Sequence, residues 1–237
     1  WVSRCMTPMR RFTGFSAETL GFLTELAANN DRAWFDAHRK DYKAHFVGAA
    51  QSFVAAMGER FAELHPGIIA EPRVNGSIFR INRDTRFSTD KTPYKTHMDI
   101  MFHIGSGRSR ENPGFFFRMF PDSLVLGAGM HGFHPKTVLP AFRTAVASTD
   151  GARLTTILDG LGDYDLGGEH YKKVPRGFDA DHPRATLLKH NALHAGKTFE
   201  VLPDAAKTPD FLDFCSDHFE ALLPLLLWVS EVVESTK

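Results

Sequence analysis

Apolar residues recur along the chain in three successive regimes. Up to about residue 65 the spacing is helical. Leu20, Leu23, Leu26 and Ala27 form a stripe behind Ser16, a residue type suited to cap a helix N-terminus. Phe15 before that cap and Leu20 at the fourth helical position fit a hydrophobic staple. Asp31 caps a second predicted helix with Trp34, Phe35, Tyr42 and Phe46 inward. A third is predicted over 48–64, with Phe53, Val54, Met57, Phe61 and Leu64 on one side, stopped by Pro66-Gly67.

From Ile78 the period falls to two. Met98, Ile100, Phe102 and Ile104 alternate with His97, Asp99, Met101 and His103, as in a half-buried strand. Phe115, Phe117 and Met119 alternate again, and so do Leu124, Leu126 and Ala128. A Gly/Ser/Arg-rich loop from Gly105 to Pro113 and a turn at Pro121-Asp122 join these runs. Links this short require antiparallel neighbours. The expectation is a meander of three to four or more strands over roughly 78–129, opening with a strand at Ile78–Asn82.

The third regime is helical again. Pro135 suits a first helical turn, followed by Val138, Leu139, Phe142 and Val146. Leu154, Ile157 and Leu158 predict a short helix ending at Gly160. The polar segment from Gly162 to Ala180 is expected to be a loop, and Pro183 to open a short helix through Leu187 and Leu188. Thr208-Pro209-Asp210 starts a long apolar helix over Phe211–Val233, which Pro224 should kink. Its all-round apolarity over Leu222–Val229 implies deep burial. Helices, a meander, then helices is an α+β pattern in one domain over 1–237. Residues before about 11 are expected to be an extension, with the natural start at Met6 or Met9.

Composition narrows the picture. Hydrophobic residues make up 43% and charged residues 24%, an ordinary globular balance. Lys+Arg and Asp+Glu are both 28, so no global field favours nucleic acid, and such a partner is not expected. No apolar run reaches about 18 residues, so no transmembrane span is expected, and no membrane partner is predicted. Cys5 and Cys215 make no disulfide framework, which points to a reducing cytoplasm.

The densest chemistry lies between Phe79 and Thr96. This stretch holds five cations (Arg80, Arg83, Arg86, Lys91, Lys95), two carboxylates (Asp84, Asp90) and the phenol of Tyr94. Arginine forks suit carboxylate or phosphate, and lysine adds a point charge. If Ile78–Asn82 is a strand, Arg80 and Asn82 share one face while Phe79 and Ile81 share the buried one. Thr92-Pro93 fixes a turn that presents Lys91, Tyr94 and Lys95.

The spacing Arg80-x-x-Arg83-Asp84-x-Arg86-Phe87-x-x-Asp90-Lys91-x-x-Tyr94 resembles the signature of an uncharacterised family of bacterial and some longer fungal proteins, known only as a domain of unknown function. Eight fixed residues fall in fifteen positions, which makes the match specific. Phe12-x-Gly14-Phe15, Asn29-Asn30 with Trp34-Phe35, Pro113-Gly114-Phe115, and Pro175-Arg176-Gly177-Phe178 with His182-Pro183-Arg184 agree with it. The resemblance covers roughly residues 11–233. It implies a compact domain of about this length and supplies no activity.

Other motifs carry less. Gly127-Ala128-Gly129-Met130-His131-Gly132 looks like a dinucleotide fingerprint, but the strands before it are antiparallel and no acidic residue ends a following strand. The chain has 12 histidines. His97, Asp99 and His103 share a predicted strand face near His131 and His134, yet there is no HExxH, and His190-x-x-x-His194 lacks the glutamate of a zincin. No metal site and no cofactor are predicted. Ser88, Thr92 and the cysteines lack a supporting base. Lys172, Lys173, Arg176, Arg184 and Lys189 form a second basic cluster, read either as a solvated loop or as the far wall of a cleft facing Arg83 and Arg86.

Two functional expectations follow. In the first, a small phosphate- or carboxylate-bearing ligand meets Arg80, Arg83, Arg86, Lys91, Lys95 and Arg176, with Asp84, Asp90 and Tyr94 as candidate catalytic groups. In the second, the stretch is a salt-bridged architectural loop of a non-catalytic interaction protein.

Overall fold

A computed structural model describes residues 11–237. The expected extension, with Cys5, Met6 and Met9, lies outside the described residues.

Helix α1 (Ala17–Ala28) starts where its cap predicts, with the Ser16 side chain accepting from Thr19 N. Helix α2 (Arg32–Ala37) is capped in the same way by Asp31, which accepts from Trp34 N. A single turn, α3 (Arg39–Asp41), a π segment (Tyr42–Val47) and α4 (Gly48–Leu64) follow without a break.

Strands β1 (Ile68–Ile69), β2 (Met98–Ile104), β3 (Gly114–Met119), β4 (Leu124–Met130), β5 (Asp165–Glu169) and β6 (His190–Phe199) form one sheet. Their order is β1-β2-β3-β4-β6-β5, antiparallel at each step. Between β4 and β5 lie α5 (Val138–Ala147) and α6 (Asp150–Asp159). The short α7 (Ala185–Leu188) leads into β6, and α8 (Phe211–Glu234) closes the chain. The fold is α+β, a meander extended by two further strands and flanked by helices.

The register explains the burial. Phe102 pairs with Phe115, Phe115 with Ala128, and Ala128 with Ala195, so one apolar row crosses four strands. Helices α4 and α8 pack on this face. Phe53 meets Phe117 at 4.9 Å, and Phe219 meets Phe115 at 4.7 Å between ring centroids. Helix α8 runs unbroken through Pro224 and buries Leu222, Leu225, Leu226, Trp228 and Val229 in the core. No helix among the described residues is long and apolar enough to cross a membrane.

Four expectations need correction. Ile78–Asn82 is not a ladder strand. It makes isolated bridges, Ile78 to Ile100 and Asn82 to Tyr94, because the chain leaves the edge of β2 after Phe79 and turns to pair with the returning arm of its own hairpin. Ile81 is buried as expected, but Phe79 is only half-buried and faces a cleft. The segment from Gly162 to Ala180 contains β5, and the His190/His194 spacing belongs to β6, an interior strand. Helix α5 begins at Val138, whose N–H bonds to the Pro135 carbonyl one turn earlier. Gly127 and Gly129 lie inside β4, as the rejection of a dinucleotide fingerprint requires.

Candidate functional site

The stretch from Ser77 to Asp99 folds as a hairpin whose root joins the sheet. Phe79 N bonds to Asp99 O at 3.0 Å, Lys95 N to Ile81 O at 2.8 Å, and Arg83 N to Pro93 O at 2.9 Å. Asn30, after α1, completes the pairing with its side-chain amide. Its Oδ1 accepts from Tyr94 N at 3.1 Å, and its Nδ2 donates to Tyr94 O at 2.9 Å. The Tyr94 ring is buried and stacks on Phe35 at 4.1 Å.

The hairpin tip is polar, exposed and internally paired. Arg83 Nη1 donates to Asp90 Oδ2 at 2.5 Å and to Thr92 O at 3.1 Å, and also contacts the Thr92 hydroxyl. Arg86 forms a two-point fork on Asp84, at 2.9 and 2.7 Å. Those bonds hold the Asp84 carboxyl down at about 2. Hydrogen bonds from the Thr92 backbone and hydroxyl, then from Arg83, lower Asp90. Lys91 Nζ donates to Thr85 O at 2.9 Å. Arg80 is exposed beside the tip. A cleft of about 380 Å³ lies under the tip, lined by Arg32, Arg83, Lys91, Asn82 and Tyr94.

At the root the same residue types behave differently. Lys95 turns away from the tip and donates to Asp99 Oδ2 at 2.7 Å. Arg118, opposite Asp99 on β3, donates through Nε to Oδ1 at 2.7 Å. Arg118 Nη1 and Nη2 have no protein acceptor among the described residues. His97 Nε2 lies 3.3 Å from Oδ2, off the line of a good hydrogen bond. Asp99 is only 8% exposed. Burial pushes its carboxyl up, but His97, Arg118 and Lys95 together outweigh burial and hold it well below the usual carboxylate range. It is a fixed anion and not a base for neutral pH.

This cluster borders a cleft of about 690 Å³ on the sheet face that α4 and α8 leave free. Lys95, Asp99, Phe79, Arg110, Arg118, Phe116 and His131 are among its lining residues. Arg110 is carried by the loop after β2, and its guanidinium lies 4.9 Å from the Phe79 ring centroid. Buried Asn112 shapes that loop by donating to Ser106 O and Arg108 O, both at 2.9 Å.

The structure therefore divides the predicted residues. Lys95 joins the large cleft. Arg83, Lys91 and Tyr94 line the small one, with Asp90 beside them on Arg83. Asp84 and Arg86 pair at the tip. Arg176 is exposed on a distant part of the sequence and lines neither cleft, nor do Lys172, Lys173, Arg184 and Lys189. Arg184 instead donates to the carbonyls of Val146 and Ser148 at the end of α5. Arg110, Arg118 and Phe116 were not singled out from the sequence. The available signal was the alternation of β2 and β3, which puts Asp99 and Arg118 on outward faces without telling that they meet.

No group of three or more His, Cys, Asp or Glu side chains among the described residues is placed to hold a metal ion. Cys215 is buried, and desolvation pushes its thiol well up, so it is no nucleophile. No curated protein matches the chain. A family model does, over residues 18–228, and it spans the helical N-terminus, the hairpin, the sheet and most of α8. The chain belongs to the DUF2461 family of conserved hypothetical proteins.

Proposed function

We propose that the protein binds a small phosphate- or carboxylate-bearing ligand in the cleft on the free sheet face. The observation that carries this reading is a charge imbalance. Lys95, Arg110 and Arg118 line the cleft against the single carboxylate of Asp99. Asp99 is already engaged by two of these cations, and Arg118 keeps two terminal nitrogens for a ligand. Cations held in a concave, partly apolar site suit an anion that brings its own charge. Phosphate and di- or tricarboxylates should raise the melting temperature in proportion to the logarithm of concentration. Arg110→Gln and Arg118→Gln should each remove that rise, and its persistence in both variants would sink the reading.

The tip of the hairpin supports a second reading, as architecture in an interaction protein. Arg83 and Arg86 already have carboxylate partners, and Lys91 a carbonyl. Binding that survives Arg110→Gln and Arg118→Gln but fails in Arg83→Ala would instead place the ligand in the small cleft. We also propose a cytoplasmic location. A buried free Cys215 with no disulfide partner among the described residues suits a reducing cytoplasm.

A further inference from the structure

The free sheet face has an unusual floor. By strand alternation, Gly114, Gly127, Gly129 and Gly196 point to the same side as Asp99 and Arg118, and they neighbour one another across β3, β4 and β6. Positions without side chains leave room for rings to lie down on the backbone. A Cβ at Gly127 would collide with the ring of Phe116, and one at Gly196 would sit 3.1 Å from the same ring. A Cβ at Gly167 of β5 would collide with the His194 imidazole. The His131 ring bridges the two, 4.7 Å from Phe116 and 4.3 Å from His194 between centroids. The result is a layer of three rings over glycines, tilted by 47° to 81° to one another, with the Phe116 face next to the cationic wall.

This layer is apolar in character. Burial first, then repulsion from His131 and His190, drops the His194 imidazole to about 4. Burial, then the Arg118 charge, lowers His131. Near neutral pH the His194 ring is uncharged, and burial with the nearby Arg118 charge favours the neutral form of His131.

The wall and the layer have a fixed offset. Phe116 and Arg118 lie two residues apart on one strand, and so on one face, about 7 Å along it. That is the span of a small sugar or short linker between a flat ring and an acidic group. Phe79 is not part of the stacking surface, because Lys95 at 5.3 Å and Arg110 at 4.9 Å approach its ring and it serves to hold them.

Resting on the anion-binding reading above, we infer that the ligand joins a flat aromatic ring to a terminal anion, the ring stacking on the Phe116–His131 layer while the anion meets Arg118, Arg110 and Lys95. A nucleoside monophosphate and an aromatic carboxylate both have this chemistry, and the test separates them.

Calorimetric titrations would use adenosine 5′-monophosphate, indole-3-carboxylate, adenosine and inorganic phosphate. They would be run on the intact protein and on Phe116→Leu, which keeps apolar bulk on Gly127 but removes the flat ring. A melting curve would confirm that the variant is folded. At least one of the two joined probes should bind about tenfold or more tightly than inorganic phosphate and than adenosine. Whichever joined probe binds more tightly identifies the acid. In Phe116→Leu that advantage should vanish while phosphate affinity stays unchanged. Phosphate binding as tightly as both joined probes would overturn the inference and leave the anion-binding reading standing, as would a Phe116→Leu variant that binds the joined probes normally. No binding by any of the four probes would overturn both.

Discussion

The tip and the root of the 77–99 hairpin are built from the same kinds of residue and do different things. At the tip, Arg83–Asp90 and Arg86–Asp84 are close pairs whose carboxylate side chains are 57% and 45% exposed. At the root, the Asp99 side chain alone is 10% exposed and draws Lys95 and Arg118 onto a single carboxylate. Water screens the first set and competes for every bond, whereas burial makes the second both costly to form and costly to break. Charge density along a sequence is therefore a poor guide to where charge matters. The deciding variable is which carboxylate the sheet encloses.

The comparison breaks most directly at Asp99. Asp99→Asn keeps the shape and leaves Lys95 and Arg118 facing a neutral amide in a half-dry site. Denaturant melts should show a loss of about 3 kcal/mol, the low end for breaking a buried pair, since Arg118 is partly exposed. A loss no larger than that of a tip variant would mean that burial does not separate the two regions.

Asn30 joins them. Asn30→Ala removes two bonds to the backbone of Tyr94 and should cost about 2 kcal/mol. It should also raise protease sensitivity at the tip before global unfolding. A stability loss without local opening would show that the amide holds α1 rather than the hairpin.

Acid titration separates the regions by pH. The His194 imidazole falls from 6.5 to about 4 on folding, so its neutral form stabilises fully above pH 6.5 and the contribution is lost as pH drops toward 4. Asp84 falls from 3.8 to about 2, so its contribution is present above pH 3.8 and lost only as pH drops toward 2. His194→Phe, which keeps the ring over Gly167, should flatten the melting-temperature slope between pH 6.5 and 4. Asp84→Asn should leave that window unchanged. Equal slopes for the native protein and His194→Phe would remove the imidazole from the account.

The smallest effect belongs to the tip itself. Arg83→Ala and Asp84→Asn should shift the melting temperature no more than ordinary surface substitutions do. A large loss in either would make the tip a structural element after all.

The sequence announces some of this and hides the rest for identifiable reasons. Ser16 and Asp31 cap helices as their types predict, because capping is local chemistry. The alternation in β2, β3 and β4 is legible because the core face carries apolar residues without interruption, while polar residues and glycines break up the other. Strand β6 is not legible. Its core positions Leu193 and Ala195 are few and end at Lys197, its outward positions include Ala192 and Gly196, and β4 supplies the pairing that makes it a strand. Strand β5 reads Asp-Leu-Gly-Gly-Glu, a composition of turns, and is held by β6 alone. The stretch 79–96 is legible as a concentration of charge, but its division is not. Lys95 meets Asp99 and Arg118 meets the same carboxylate only once the 98-to-119 register is set. The glycines of the free face were legible as a motif of the wrong kind, since spacing alone cannot tell a phosphate loop from a floor for rings.

The Asn30–Tyr94 pairing has a consequence in time. The two residues are 64 positions apart, and the amide can complete the hairpin only after α1 has docked against its neighbours. Closing so long a loop has an entropic cost that no local contact offsets. We therefore expect the hairpin root, and with it the Lys95 wall of the cleft, to mature after the short-range β3–β4 hairpin. In pulse-labelled hydrogen exchange during refolding, the Tyr94 amide should gain protection after those of β3 and β4. Simultaneous protection would place the closing of the cleft in the same step as the formation of the core. In the expected order, the chain commits to its interior first and acquires its charged opening afterwards.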